Sequence, residues 1–369
     1  MLTPADDFPL HQTADPIAFS GTDRNFYDRF FFNGYDLESD TFFAVALGVY
    51  PQLNIMDASF SVVHNGLQTN LRASKEMQGD RLNLNVGPIT IEIIRPLEET
   101  RIIVEDASNG IGADITAYAR HQAIEEPRFT RRQGTRAFMD YTRATQNVSW
   151  SGSIQIGAAD IAVDKCLGTR DRSWGVRSVG MADPQPVVPP MAPQFYWLWT
   201  PINFDGYSLF CHTNDDSLGK PWNRRAVLVD HTTGAQHHYD DVKLCPEYVS
   251  GTRRISRLSA ALTGDGPALT FSMEAGMRFY MQGLGYTHPD WGHGRHHGAL
   301  HVACDTFTRD DAEAALKSGQ IHFLHVQALS SVALELDGKI LKGHGAIEQL
   351  FIGPHAPSGF QEFMDGILS

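Results

Sequence analysis

Three groups of residues in this 369-residue chain have the types and spacing to do chemistry. The first is "GTRDRSWGVR", residues 168–177, with three arginines, one aspartate, one tryptophan and two glycines in ten positions. Read as a strand, it puts Asp171 on one face with Thr169 and Ser173, and Arg170, Arg172 and Trp174 on the other. Asp171 could then meet an arginine of a neighbouring strand, with Arg143 and Arg177 as candidates. A guanidinium beside a carboxylate lowers its pKa. On that reading Asp171 is a poor general acid near neutrality but a good structural anchor or cation stabiliser, and it stays among the catalytic candidates, after Glu348. Two roles stay open for the stretch: an ion-pair network tying two sheets together, or the polar end of a ligand cavity walled by Trp174, with Arg172 beside it.

The second group is "GYTHPDWGHGRHHGALH", residues 285–301, which holds five of the sixteen histidines. Histidine is the usual proton carrier near neutral pH and a common metal ligand. The spacing matches no standard zinc motif, so no metal is expected. His293 and His297 are the acid–base candidates, with Trp291 as a ligand contact. The bland reading is a Gly-rich hairpin with solvated histidines. The third group is Glu348 in "GHGAIEQLFI". It shares a strand face with Ala346, Leu350 and Ile352, which favours a raised pKa and a general acid. The alternative is an ion pair with an arginine such as Arg278.

Aromatic runs add "FYDRFFFNGY" and "QFYWLWTPINFDGY". Most of these rings belong in a core. Tyr35, Tyr207 and Trp199 are candidate ligand contacts, and Tyr196 a candidate catalytic group, because a buried phenol needs a partner.

The elements that must position these groups are mostly strands. Period-two alternation runs through "RLNLNV", "GPITIEIIRP", "ADITAYAR" and "FSMEAGMRFYM". "QFYWLWT" is apolar on both faces and reads as a strand covered twice. One helix stands out, "TRDDAEAALKSG", with Thr308 as cap and Asp311 three residues on. The pattern predicts an all-β protein with few helices. The Pro-rich run 182–193 cannot be a central strand and marks the boundary between domains 1–181 and 182–369. A faint echo links "SIQIGAADIAVDKCLGTRD" with "ALELDGKILKGHGAIE". In each, two strands lead to a glycine, Gly168 or Gly345, followed three residues later by an acid, Asp171 or Glu348. Duplication of one β-domain would explain it, and so would chance.

The net charge of −13, with no basic block, argues against nucleic acid and anionic membrane surfaces. No apolar run is long enough to span a bilayer, and the first residues lack a signal-peptide pattern. Four scattered cysteines read as reduced thiols of a cytoplasmic protein. No Walker loop, GxGxxG or GxSxG motif occurs, so no cofactor is expected. Oligomeric state is left open, a homo-oligomer included.

The stretch Gly-x-Arg-Asp-Arg-Ser-Trp-Gly-x-Arg resembles the junction motif of lipocalin-like proteins related to AttH and hydroxyneurosporene synthase, a carotenoid hydratase. "EEPRF", "DYTRATQNVSWSGSI", "GYTHPDWGHG" and "GHGAIEQLFIGPHAPSGF" extend the likeness over most of the chain. The resemblance implies two packed calycin-like or lipocalin-like domains, each a β-barrel or sandwich. It also implies chemistry on apolar ligands, such as adding water across a double bond or a related cyclisation. The leading expectation is a cofactor-independent lyase, hydratase or isomerase. It would act by acid–base catalysis on a hydrophobic small molecule of terpenoid, steroid or aromatic type. A non-catalytic binding protein for lipid or aromatic ligands is the rival. A metal-dependent hydrolase using the histidine loop is a weaker third. A carboxylate or histidine at the cavity floor separates the first from the second.

Overall fold

A computed structural model describes residues 1–366 apart from 20, 37, 186, 187, 189 and 191. Nearly all regular structure is antiparallel strand. The N-terminal half builds a large sheet whose centre runs Ile55–His64, Thr41–Tyr50, Phe26–Asp36, Leu167–Arg177, Arg136–Ile156 and Ile111–Ala119. It curls so that Phe30, Phe32 and Val45 share a core with Ile89, Ile102 and Ile115. The C-terminal half closes into an eight-stranded barrel, from Phe195–Phe204 round to Val326–Leu336 and Lys339–Ile352. An all-β fold with two calycin-like units is therefore what the alternation encodes. In each unit the last long strand returns to pair with the first: Leu167–Arg177 lies on Phe26–Asp36, and Lys339–Ile352 on Phe195–Phe204.

The first strands are buried over most of their length because they are covered on both faces. Phe30 and Phe32 point into the sheet's own core, while Phe31 and Tyr35 point at the barrel. Tyr196 and Leu198 fill the barrel, and Trp197 and Trp199 face the sheet. A shared apolar layer results, with Phe42 stacked on Phe279 across it at 5.0 Å. Alternation alone thus accounts for strands with no polar face.

The expected helix spans Arg309–Lys317 and has the Thr308–Asp311 capping box. The run "RLNLNV" contributes only Asn85–Val86 as strand. The two sheets do not divide the chain at one point. Leu300–Thr308, from the C-terminal half, leaves the barrel and adds to the outer edge of the first sheet beside Leu67–Glu76. The Pro-rich run lies partly outside the described residues; within it, Asp183 binds Arg24 at 2.8 Å and also Arg136. No helix among the described residues is long and apolar enough to cross a membrane.

Candidate active site

Where the two sheets diverge they leave a cavity of about 520 Å³, within the range of small-molecule sites. The strand Leu167–Arg177 lines it with Asp171, Ser173 and Arg177, alternate residues on one face. Its other face turns away: Arg170 lies over Phe32, Arg172 over Phe30 at 3.7 Å, and Arg172 pairs with Asp28 at 2.7 Å. Trp174 is 40% exposed. It neither walls the cavity nor packs between the units, as the alternation of the strand requires.

Across the cavity stands Glu348, on the outer face of the barrel. Its carboxylate accepts three hydrogen bonds: from Trp197 Nε1 at 2.8 Å, His325 Nε2 at 2.9 Å and Gln327 Nε2 at 2.5 Å. The donor directions are fixed by a chain that begins at an unambiguous donor. The Thr169 backbone N–H binds Asn33 Oδ1 at 2.7 Å, so Asn33 Nδ2 donates to Gln327 Oε1 at 2.9 Å, which turns the Gln327 amide nitrogen to Glu348. Burial pushes the Glu348 carboxyl up, but the hydrogen bonds and charge of His325, then Gln327 and Trp197, outweigh it and hold it below its ordinary value. An ionised Glu348 keeps the proton of His325 on Nε2. The Nδ1 atom of His325 is buried and has no partner among the described residues, and the ring lines the cavity.

Asp171 has the opposite setting. Burial pushes it up to about 7, helped by the charges of Glu126 and Glu348, with Arg143 pulling against it. Arg143 is spent elsewhere. It grips Glu126 through two bonds of 2.7 and 2.9 Å, packs on Trp197 and Trp199, and stops 3.9 Å from Asp171. Among the described residues no group donates a hydrogen bond to Asp171. The expected roles are therefore exchanged. Asp171 is the carboxyl that is partly protonated at neutral pH, and Glu348 the one held ionised. Sequence reasoning placed an arginine beside Asp171 but could not see Glu126 taking it. Arg278, the expected partner of Glu348, lies instead 3.7 Å from Glu313.

His293 lines the cavity, but both ring nitrogens are occupied. Nε2 donates to the Leu284 carbonyl at 3.0 Å, and Nδ1 accepts from Arg177 at 2.8 Å. Burial, then Arg29 and Arg177, holds it neutral, well below its ordinary pKa. It positions the loop and Arg177 and carries no free lone pair for substrate. His297 and Trp291 stack on each other at 4.1 Å outside the cavity lining. Exposed His296 reaches Glu76 at 3.1 Å. Among the described residues no three His, Cys, Asp or Glu side chains converge as a metal site would need.

The other candidates sit away from the cavity lining. Tyr196 fills the barrel, stacked on Phe351 and His355, with its hydroxyl 3.2 Å from Tyr248. Tyr35 is locked in the interface by Asn203 at 2.9 Å. Trp199 lies under Arg143, and Tyr207 packs on the barrel core. The cavity walls come from Tyr27, Phe31, Tyr141, Phe195, Trp197 and Tyr286. Sequence reading missed His325, Tyr286 and Tyr141. Tyr286 stood inside the histidine stretch, whereas His325 sits in "HFLHVQAL" with no motif around it.

This architecture, two lipocalin-like β-units closed round a cavity between them, defines the class. The chain belongs to a family of unknown function (DUF8625), whose pattern matches residues 2–361. Its fold is similar to that of a Nitrosomonas europaea protein assigned as an AttH, with a TM-score of 0.55, 13% identity, and 94% of this chain and 99% of that one covered. Kievitone hydratase from Nectria haematococca aligns over 88% of both chains, with a TM-score of 0.47 and 12% identity. No curated protein matches the sequence.

Proposed function

We propose that the protein is a cofactor-independent hydratase or dehydratase acting on a largely apolar small molecule, with Asp171 as acid and the Glu348–His325 pair as base. One observation carries this reading. A single cavity holds two carboxyls whose surroundings drive their pKa values apart, Asp171 up and Glu348 down, the pattern that assigns acid and base roles. Neutral Asp171 transfers its proton to one alkene carbon. The faces of Tyr27, Tyr141 and Trp197 lie close enough to shield the developing cation. Water adds to the other carbon, and His325 Nδ1 takes the proton it releases while Glu348 steadies the imidazolium. Return of that proton to Asp171 through water restores the site, and the reverse sequence removes water. The cavity floor carries titratable groups that a simple binding protein has no use for.

The test is to extract the ligand that copurifies and return it to ligand-free protein in ¹⁸O-labelled water. The expected result is gain of one labelled water, or loss of one water, at a rate that Asp171→Asn lowers roughly 100- to 10,000-fold, the usual contribution of a general acid. A ligand recovered unchanged after incubation with folded, ligand-binding protein rejects catalysis and leaves a binding protein. Unaltered turnover in Asp171→Asn rejects the acid assignment.

A further inference from the structure

The cavity has a second charged region that acid–base chemistry does not use. Arg177 lines it, its guanidinium stacked on Tyr27 at 4.4 Å. Among the described residues its side chain has one hydrogen-bond partner, and that one is neutral, the Nδ1 of His293. Among the described residues no carboxylate comes within ion-pair distance of it. Asp57 feels the charge of Arg177 only at longer range, and it is shared. Asp57 accepts from Tyr50 at 3.1 Å and from the Gly294 backbone N–H at 2.7 Å, and it already faces Arg29 at 3.8 Å. Two guanidiniums, Arg29 buried and Arg177 half-buried, thus stand against one carboxylate. Half-buried Arg295, also in the lining, adds a third; among the described residues its Nε is buried without a partner, while its Nη1 meets the sulfur of Met181 at the exposed surface. A charge held partly out of water without a counter-charge is unfavourable, so this end of the cavity suits a negative charge that the protein does not supply.

Resting on the reading of the cavity as a ligand site, we propose that Arg177, with Arg295 beside it, anchors an oxygen anion, a carboxylate or phosphate ester, at one end of an otherwise apolar ligand. Guanidinium suits either group because its fork matches two oxygens at once. The anchor and the acid lie on one strand face, six residues apart. That spacing puts their Cα atoms roughly 20 Å apart, less the reach of the two side chains. A volume of about 520 Å³ spread over that length leaves a cross-section close to that of a single hydrocarbon chain or a narrow ring system. The ligand class is an elongated apolar molecule with an anionic end at Arg177 and its reacting carbons at Asp171.

Calorimetric titration of the purified protein with dodecanoate, dodecyl phosphate and 1-dodecanol below their aggregation concentrations tests this. The three share one apolar chain, so burial contributes equally. The expected result is that at least one anion binds tenfold or more tighter than the alcohol, and the tighter anion names the headgroup. Arg177→Met should reduce that preference to less than threefold while leaving dodecanol binding unchanged. Equal binding of all three to wild-type protein overturns the proposal without any variant. So does a preference that survives in folded Arg177→Met and in the Arg177→Gln, Arg295→Gln double variant. Because these are binding measurements, they stand or fall separately from the isotope experiment on turnover.

Discussion

At the scale of single residues, the site turns on which carboxyl keeps its proton. Asp171 is shifted from 3.8 to about 7, with burial the main cause. A group that binds its proton more tightly in the folded state favours folding at low pH, and that benefit is lost as pH rises through the folded pKa. Ionised Asp171 therefore burdens the fold from about pH 4 upward, by about 4 kcal/mol once pH exceeds 7. Asp171→Asn should be as stable as wild type near pH 4 and clearly more stable at pH 8, as measured by urea unfolding at both values. A variant equally destabilised at both would show that Asp171 is held by partners instead. In turnover, wild-type activity should fall above about pH 7 as Asp171 ionises. Glu348 behaves oppositely. Glu348→Gln would turn an amide N–H toward Trp197, His325 or Gln327, all donors. A buried donor without an acceptor costs about 1–3 kcal/mol, so this near-isosteric change should lower the melting temperature and also release the His325 tautomer. Retention of both stability and activity would remove Glu348 from the site.

At the scale of elements, one strand carries the site because its alternation does two jobs. Leu167–Arg177 sends Asp171, Ser173 and Arg177 to the cavity and Arg170 and Arg172 onto the phenylalanines behind. That division was legible in the sequence, since side chains on a strand must alternate. So were the doubly covered strand Phe195–Phe204 and the capped helix. The identity of the base was not. His325 acquires its role only when Lys339–Ile352 pairs with Val326–Leu336 and sets Gln327 directly opposite Glu348, a register that local pattern does not specify. The excursion of Leu300–Thr308 to the first sheet was hidden for the same reason. The segment before it, residues 285–299, is held by contacts that include Gly294 N–H to Asp57, His293 to Leu284 and Arg177, Gly180 N–H to the His293 carbonyl, Ser74 Oγ to the Arg295 carbonyl at 3.1 Å, His296 to Glu76 and Glu76 N–H to the Ala299 carbonyl. Gly294 has φ +73°, where a side chain would be strained and would meet Tyr50 and Leu53. Asp57→Ala removes the central pin. Amide exchange in 285–299 should rise at least tenfold while the barrel strands stay protected. Uniform loss of protection would mean that Asp57 holds the whole fold instead of the loop.

At the scale of the molecule, the two units cannot be separated without dissolving the site. Each contributes one carboxyl from its closing strand, Asp171 three residues after Gly168 and Glu348 three after Gly345. The echo in the sequence thus meets in space across one cavity. Whether or not the halves descend from one ancestor, the pairing of last strand with first in each unit places these residues alike. The interface is also a core. Phe31, Phe42, Trp197, Trp199, Phe210 and Phe279 are all nearly fully buried there, and Asn33–Gln327 and Asn147–Ser208 hydrogen bonds cross it. The strand Leu300–Thr308 fastens the halves a second time by lying on the other unit's edge. Neither half could expose that layer at low cost, since burying each large aromatic contributes about 1.5–3 kcal/mol. Heat unfolding should therefore be one cooperative event. The calorimetric enthalpy should equal the van't Hoff enthalpy, and Phe42→Ala, made in the N-terminal sheet, should lower the stability of both units together by about 3–5 kcal/mol. Barrel and sheet signals that part into two transitions, with Phe42→Ala moving only the sheet's, would show two independent domains, and a cavity between them that opens without unfolding either.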